Sequence, residues 1–150
     1  MLKVGDKAPD VKLKNDAGEE FSLSSMKGKR VVLYFYPKAD TPGCTIEACE
    51  FRDGLKDFAK KGTAVIGVSP DEPEAQAKFK KKYGLTFPLL ADEEKAAAQA
   101  YGVWKEKNMY GRKVMGIERT TFVIGADGKI EKIYGKVKAQ GHAGEVLEGL

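Results

Sequence analysis

The chain holds two cysteines, Cys44 and Cys49, and both lie in the stretch 37–49, Pro-Lys-Ala-Asp-Thr-Pro-Gly-Cys-Thr-Ile-Glu-Ala-Cys. The reactive form of cysteine is the thiolate, so the chemistry on offer is attack by sulfur or thiol–disulfide exchange. An apolar run before the stretch and helical spacing after it put Cys44 near a helix N-terminus, just beyond a buried strand. Loops at the carboxyl ends of such strands are where α/β sheets place ligands. Unpaired N–H groups and the positive end of the helix dipole favour thiolate over thiol there. A free cysteine with a pKa near 8.5 is only about 3% ionised at pH 7, so a pKa below 6 gains roughly 30-fold, about 2 kcal/mol of barrier. Even modest enzymes gain about a millionfold. Hydrogen-bond donors that polarise the breaking bond must therefore stand near Cys44. Taken alone, a cysteine so placed is as often a small buried apolar residue as a nucleophile, and Cys49, inside the helix, more often so.

The elements that must position these sulfurs can be read from periodicity and punctuation. Residues 31–36, Val-Val-Leu-Tyr-Phe-Tyr, form an apolar run rich in β-branched and aromatic side chains, the mark of a central strand covered on both faces; Pro37 stops it. The spacing of Ile46, Phe51, Leu55, Phe58 and Ala59 predicts a helix over 43–60, closed by Gly62. Residues 64–69 read as a second buried strand. Residues 73–83 read as an amphipathic helix opened by Pro73 and closed by Gly84, and 93–101 as another closed by Gly102; residues 88–91 are too short to assign. The turn Gly125-Ala126-Asp127-Gly128 joins residues 120–124 and 129–134 into a β-hairpin, and 142–149 suit a terminal helix. Strand, helix, strand, helix demands a parallel crossover, whereas hairpin then helix demands antiparallel pairing. The expected class is α/β, a thioredoxin-like fold with a mixed central sheet flanked by helices and an N-terminal hairpin around residues 11–23. No linker or repeat divides residues 1–150, so one domain is expected.

Composition narrows the function classes. With 42% apolar and 32% charged residues, 150 residues are enough for one globular core without disulfides or metals as staples. The 26 basic residues interleave with 22 acidic ones, so the net charge of +4 is not a nucleic-acid footprint. The run Lys80-Lys81-Lys82 reads as a solvated helix end where cations oppose the dipole. The N-terminus lacks a signal-peptide pattern, and no apolar stretch approaches the roughly 18 residues needed to span a bilayer, so a soluble, cytoplasmic protein without membrane partners is expected. Cytosolic thiols are kept reduced, which favours catalytic over structural cysteines. His142, the single histidine, leaves too few ligands with two cysteines for a structural zinc site, and reads as structural. Trp104, Phe87 and Tyr110 could rim a pocket, but read first as packing groups.

The residues around Cys44 resemble those of the peroxiredoxins, specifically the bacterioferritin comigratory protein or Q-type group. The pattern Pro-x-x-x-Thr-x-x-Cys is met by Pro37, Thr41 and Cys44, within the longer Tyr-Pro-Lys-x-x-Thr-Pro-Gly-Cys-Thr-x-Glu-Ala followed by Phe51-Arg52. The likeness runs nearly end to end, through Gly5-Asp6-Lys7-Ala8-Pro9-Asp10, Tyr101-Gly102-Val103-Trp104, Met109-Tyr110-Gly111, the run from Gly116 to Phe122, and Gly141-His142-Ala143. Val11 stands where the family usually has Phe, and Ala39 where Asp or Asn is common; neither touches the chemistry. The resemblance implies that Cys44 is the peroxidatic cysteine, Thr41 the active-site hydroxyl, Pro37 the loop-shaping proline, Arg119 the thiolate-stabilising arginine and Cys49 the resolving cysteine. Without the motif, Thr41 reads as a turn or capping residue and Arg119 as a surface cation.

The mechanism so implied begins with attack of the Cys44 thiolate on hydrogen peroxide or an organic hydroperoxide while Thr41 and Arg119 hold both oxygens, giving a sulfenic acid and water or an alcohol. Cys49 then condenses with the sulfenic acid, and a thioredoxin-type dithiol reduces the disulfide; no cofactor or metal is required, and a monomer is expected. Five positions along a helix separate two Cα atoms by roughly 8.6 Å, against about 4.4 to 6.8 Å in a disulfide. Local unwinding over residues 43–52 is therefore expected in the oxidised state. A thiol–disulfide oxidoreductase on the same fold would need Cys-x-x-Cys, but Thr41 occupies the first position of that spacing and Thr120, not proline, opens the later strand. A redox-switched binding protein without turnover is the rival from another class.

Overall fold

The computed structural model describes residues 2–150 and, of Met109, the backbone. An inner strand of its main sheet is β3 (Arg30–Phe35). Successive strand residues point to opposite faces. Val31, Leu33 and Phe35 accordingly join Ile66, Val68, Leu90 and Phe122 in one core. Val32, Tyr34 and the following Tyr36 join Cys44, Phe51, Phe58, Phe79 and Val146 in the other. A run apolar at every position needs cover on both faces, and it has it.

The cover on Cys44's side comes from α1 (Pro42–Lys60), α2 (Pro73–Tyr83) and α4 (His142–Glu148). The other side carries α3 (Ala96–Ala100) and the 3-10 turn Leu23–Met26. The main sheet has seven strands in the order β2 (Glu20–Ser22), β1 (Lys12–Asn15), β5 (Leu89–Ala91), β4 (Thr63–Ser69), β3, β8 (Thr120–Ile124), β9 (Ile130–Tyr134). β3 runs parallel to β4, and β4 to β5, while β3 and β8 are antiparallel, as are β8 with β9 and β1 with β2. The mixed sheet, the late hairpin and the N-terminal hairpin all match the sequence expectation. Among the described residues, no helix is long and apolar enough to cross a membrane.

Three elements differ from that expectation. The helix expected over 93–101 is reduced to Ala96–Ala100, because Lys95 adopts a left-handed φ of 59° and Asp92 takes the first N–H groups, accepting from Ala97 N at 3.1 Å and Ala98 N at 2.8 Å. The unassigned residues 88–91 supply β5, which is buried throughout. A hairpin absent from the sequence reading joins β6 (Trp104–Met109) to β7 (Arg112–Ile117); among the described residues these strands pair only with each other. Its turn places Tyr110 at φ 53° and Gly111 at φ 79°, and leaves Tyr110 fully exposed rather than packed.

His142 is structural, as expected. It is buried, with Nε2 2.7 Å from Thr121 Oγ1 and Nδ1 2.9 Å from Glu145 Oε1. Burial lowers its pKa against the opposing pull of Glu145. In the unfolded chain a histidine titrates at about 6.5, so the stability tied to the neutral ring is fully present above that value and is lost as pH falls through the folded value. Denaturation midpoints should therefore fall on the acid side, less steeply in His142→Gln; identical slopes would show that the ring does not fold as a neutral group.

Candidate active site

Pro37 ends the sheet pairing because it has no N–H to give, and the chain turns through 38–41 into α1. That turn is pinned from three sides. Ala39 N donates to Asp71 Oδ2 at 2.7 Å. Asp40, at φ 60°, accepts from Tyr83 Oη at 2.8 Å and from Lys82 Nζ at 2.9 Å. Thr41 Oγ1 donates to Lys38 O at 2.8 Å, and Thr41 precedes the helix without capping it by its side chain. Pro42 is the first helical residue, a position that loses nothing by lacking an N–H. Cys44 therefore lies in the first turn, where backbone N–H groups have no helical partner. It is 1% exposed, with its side chain among those of the core against β3.

Arg119, in the short segment between β7 and β8, reaches this sulfur. Its Nη2 donates to Cys44 Sγ at 3.3 Å, and its Nη1 to Glu47 Oε1 at 2.6 Å. Gly43 makes room for it, since a Cβ there would stand 3.1 Å from Nη2. Glu47 follows Cys44 by three residues and so shares its helix face. It is fully buried, and burial pushes its pKa up to about 7 against the pull of Arg119. Lys107 of β6, half-buried, is lowered by burial and by the charge of Arg119.

A buried sulfur at a helix N-terminus, facing a guanidinium that also bonds Glu47, is an environment that favours negative charge on sulfur and on an atom bound beside it. The AhpC/TSA family pattern matches residues 4–133. Peroxiredoxin Bcp of Bacillus subtilis is 51% identical over 149 residues, covering 99% of this chain and 95% of the relative. The chain is a peroxiredoxin.

Further likeness places this peroxiredoxin in the Bcp or Q-type group, and so among the thiol peroxidases, enzymes that work through a peroxidatic cysteine. Peroxiredoxin Bcp of Escherichia coli is 44% identical over 99% of the chain and 96% of its own length. A peroxiredoxin Q structure from Xylella fastidiosa, a cysteine-to-serine variant, superposes with TM-score 0.94 at 38% identity, covering 99% of this chain and 95% of that one. A structure concerned with the alkyl peroxide reduction activity of the Xanthomonas campestris bacterioferritin comigratory protein superposes with TM-score 0.89 at 41% identity, covering 93% and 88%. These likenesses make the thioredoxin fold a finding.

Of the residues singled out from sequence, the peroxiredoxin brings Cys44 and Arg119 into contact. Thr41 and Pro37 form the turn that leads to Cys44, with the Thr41 hydroxyl proton engaged by Lys38 O. Cys49 is a free thiol, half-buried, on the helix turn beyond. Glu47 was missed, although its spacing from Cys44 inside the quoted motif was a usable signal. Lys107 carried none, because the hairpin that presents it was not foreseen.

Proposed function

We propose that Cys44 is the peroxidatic cysteine of a thioredoxin-linked peroxidase that reduces hydrogen peroxide and organic hydroperoxides to water and alcohols. The observation that carries this is the 3.3 Å hydrogen bond from Arg119 Nη2 to Cys44 Sγ in a buried helix N-terminus. The thiolate attacks one peroxide oxygen in line with the O–O bond. Sulfur gives up two electrons, the O–O bond breaks, and the departing oxygen collects negative charge beside the guanidinium. Because the Thr41 proton is given to Lys38 O, Oγ1 is left with lone pairs that accept from the peroxide O–H, orienting it toward Sγ. Pro37 shapes the turn that carries Thr41.

Cys49 then attacks the Cys44 sulfenic acid, water leaves, and a thioredoxin-type dithiol restores both thiols by exchange. The cycle calls on no metal or prosthetic group, since the electrons come from sulfur. It is proposed to run in the cytoplasm, in a monomer whose residues 1–150 make one domain.

The test is hydrogen peroxide removal driven by NADPH, thioredoxin reductase and thioredoxin. Cys49→Ser is expected to give one fast oxidation of Cys44, trapped as sulfenic acid and located by mass spectrometry, and then poor recycling. Full thioredoxin-linked turnover in that variant would remove Cys49 from its role. A trap found on no cysteine would refute the reading of Cys44.

A further inference from the structure

Arg119 brings one positive charge to two groups that can each be negative. Its Nη2 serves Cys44 Sγ and its Nη1 serves Glu47 Oε1. Glu47 is fully buried, and its other oxygen, Oε2, has no hydrogen-bond partner among the described residues. The remaining groups around the cluster offer no full positive charge in contact. Glu50, on the same helix, adds negative charge near Glu47. Tyr34 of β3 is buried and held as the neutral phenol. His142 of α4 is held toward the neutral ring by burial. Lys107 of β6 is half-buried, open to solvent screening, and makes no ion pair among the described residues. A thiolate and a carboxylate together would leave a net negative charge in the interior, which is costly; a proton on Oε2 removes it.

We propose that Glu47 holds a proton while Cys44 is a thiolate and gives it up when the sulfur is oxidised, supplying the proton that the departing oxygen requires. The proposal rests on the reading of Cys44 as the peroxidatic cysteine. The balance is Cys44–S⁻ plus Glu47–COOH plus ROOH giving Cys44–SOH plus Glu47–COO⁻ plus ROH. Sulfur is oxidised by two electrons, the O–O bond is reduced, an S–O bond forms, and the proton moves from Glu47 to RO⁻. The cluster is neutral before and after, because Arg119 pairs first with the thiolate and then with the carboxylate. When a dithiol reduces the Cys44–Cys49 disulfide, one of its two protons returns to Glu47 and the other to Cys49. The upward displacement of the Glu47 pKa to about 7 by burial fits a group that can carry a proton near neutrality.

The test is a single turnover with hydrogen peroxide on the acid side of neutrality, in weak buffer with an indicator dye, comparing wild type with Glu47→Gln. The wild type should take up no proton from solvent per disulfide, and Glu47→Gln one. As pH rises through about 7, the wild type should come to behave like the variant. Infrared difference spectra of the wild type should show a carboxylic-acid carbonyl band lost on oxidation and regained on reduction, a signature that a purely structural carboxylate would not give and that needs no variant. Equal proton uptake by both proteins, or no band lost while mass spectrometry shows Cys44 oxidised, overturns the proton-holding role. Cys44 left unoxidised by peroxide would instead overturn the assignment beneath it.

Discussion

Cys44→Ser is expected to lose at least about a thousandfold in peroxide reduction, out of the millionfold or more that enzymes commonly gain. The substitution changes little else. Serine is close in shape to cysteine, so the surrounding side chains of Val32, Ala48 and Phe51 need scarcely move, and its oxygen can still accept from Arg119. What is lost is a sulfur that can take an oxygen from a peroxide. Peroxide consumption measured beside the thermal unfolding curve separates loss of chemistry from loss of fold. Turnover retained in Cys44→Ser would move the reactive role to Cys49, the other cysteine in the sequence.

Arg119→Met is expected to slow oxidation of Cys44 by about 100- to 1000-fold, the usual effect of removing one preorganised donor from a developing anion. Two functions fail together, since the same guanidinium reaches Sγ and Glu47 Oε1. Removing one partner of a buried ion pair ordinarily costs about 3–5 kcal/mol of stability. Here the loss should be smaller, because burial already pushes Glu47 toward its neutral form. Arg119→Lys keeps the charge but not the fork, and should recover only part of the rate. Competition kinetics for Cys44 oxidation give the comparison; a loss of less than tenfold in Arg119→Met would deny the guanidinium its place in the reaction.

The sequence was most legible where one local signal sufficed. The run 31–36 carried the mark of a doubly covered strand, and the spacing over 43–60 with Gly62 as terminator located α1 closely enough to put Cys44 near its start. Arg119 lies 75 positions from Cys44, and its contact with the sulfur depends on the antiparallel β3–β8 register, which no local pattern encodes; only resemblance pointed to it. The β6–β7 hairpin escaped because its strands carry Lys105, Lys107, Arg112 and Lys113 and bury little, so hydrophobic alternation had nothing to report. The helix expected over 93–101 reaches too far because apolar spacing does not report the N–H groups that Asp92 takes. Its two bonds to Ala97 N and Ala98 N fix the start later than periodicity suggests.

Glu50, which adds negative charge near Glu47, also ties two helices together. Both oxygens of Glu50 accept from Gly141 N, at 2.8 and 3.1 Å, mooring the start of α4 to α1. Glu50 is the neighbour of Cys49, so if the two sulfurs join in the proposed disulfide, uncoiling that turn is expected to cast off this mooring as well. The oxidised molecule would then show its reductant a loosened α4 that the dithiol form keeps docked. A visiting dithiol could in this way tell spent enzyme from fresh by outline before any sulfur is touched.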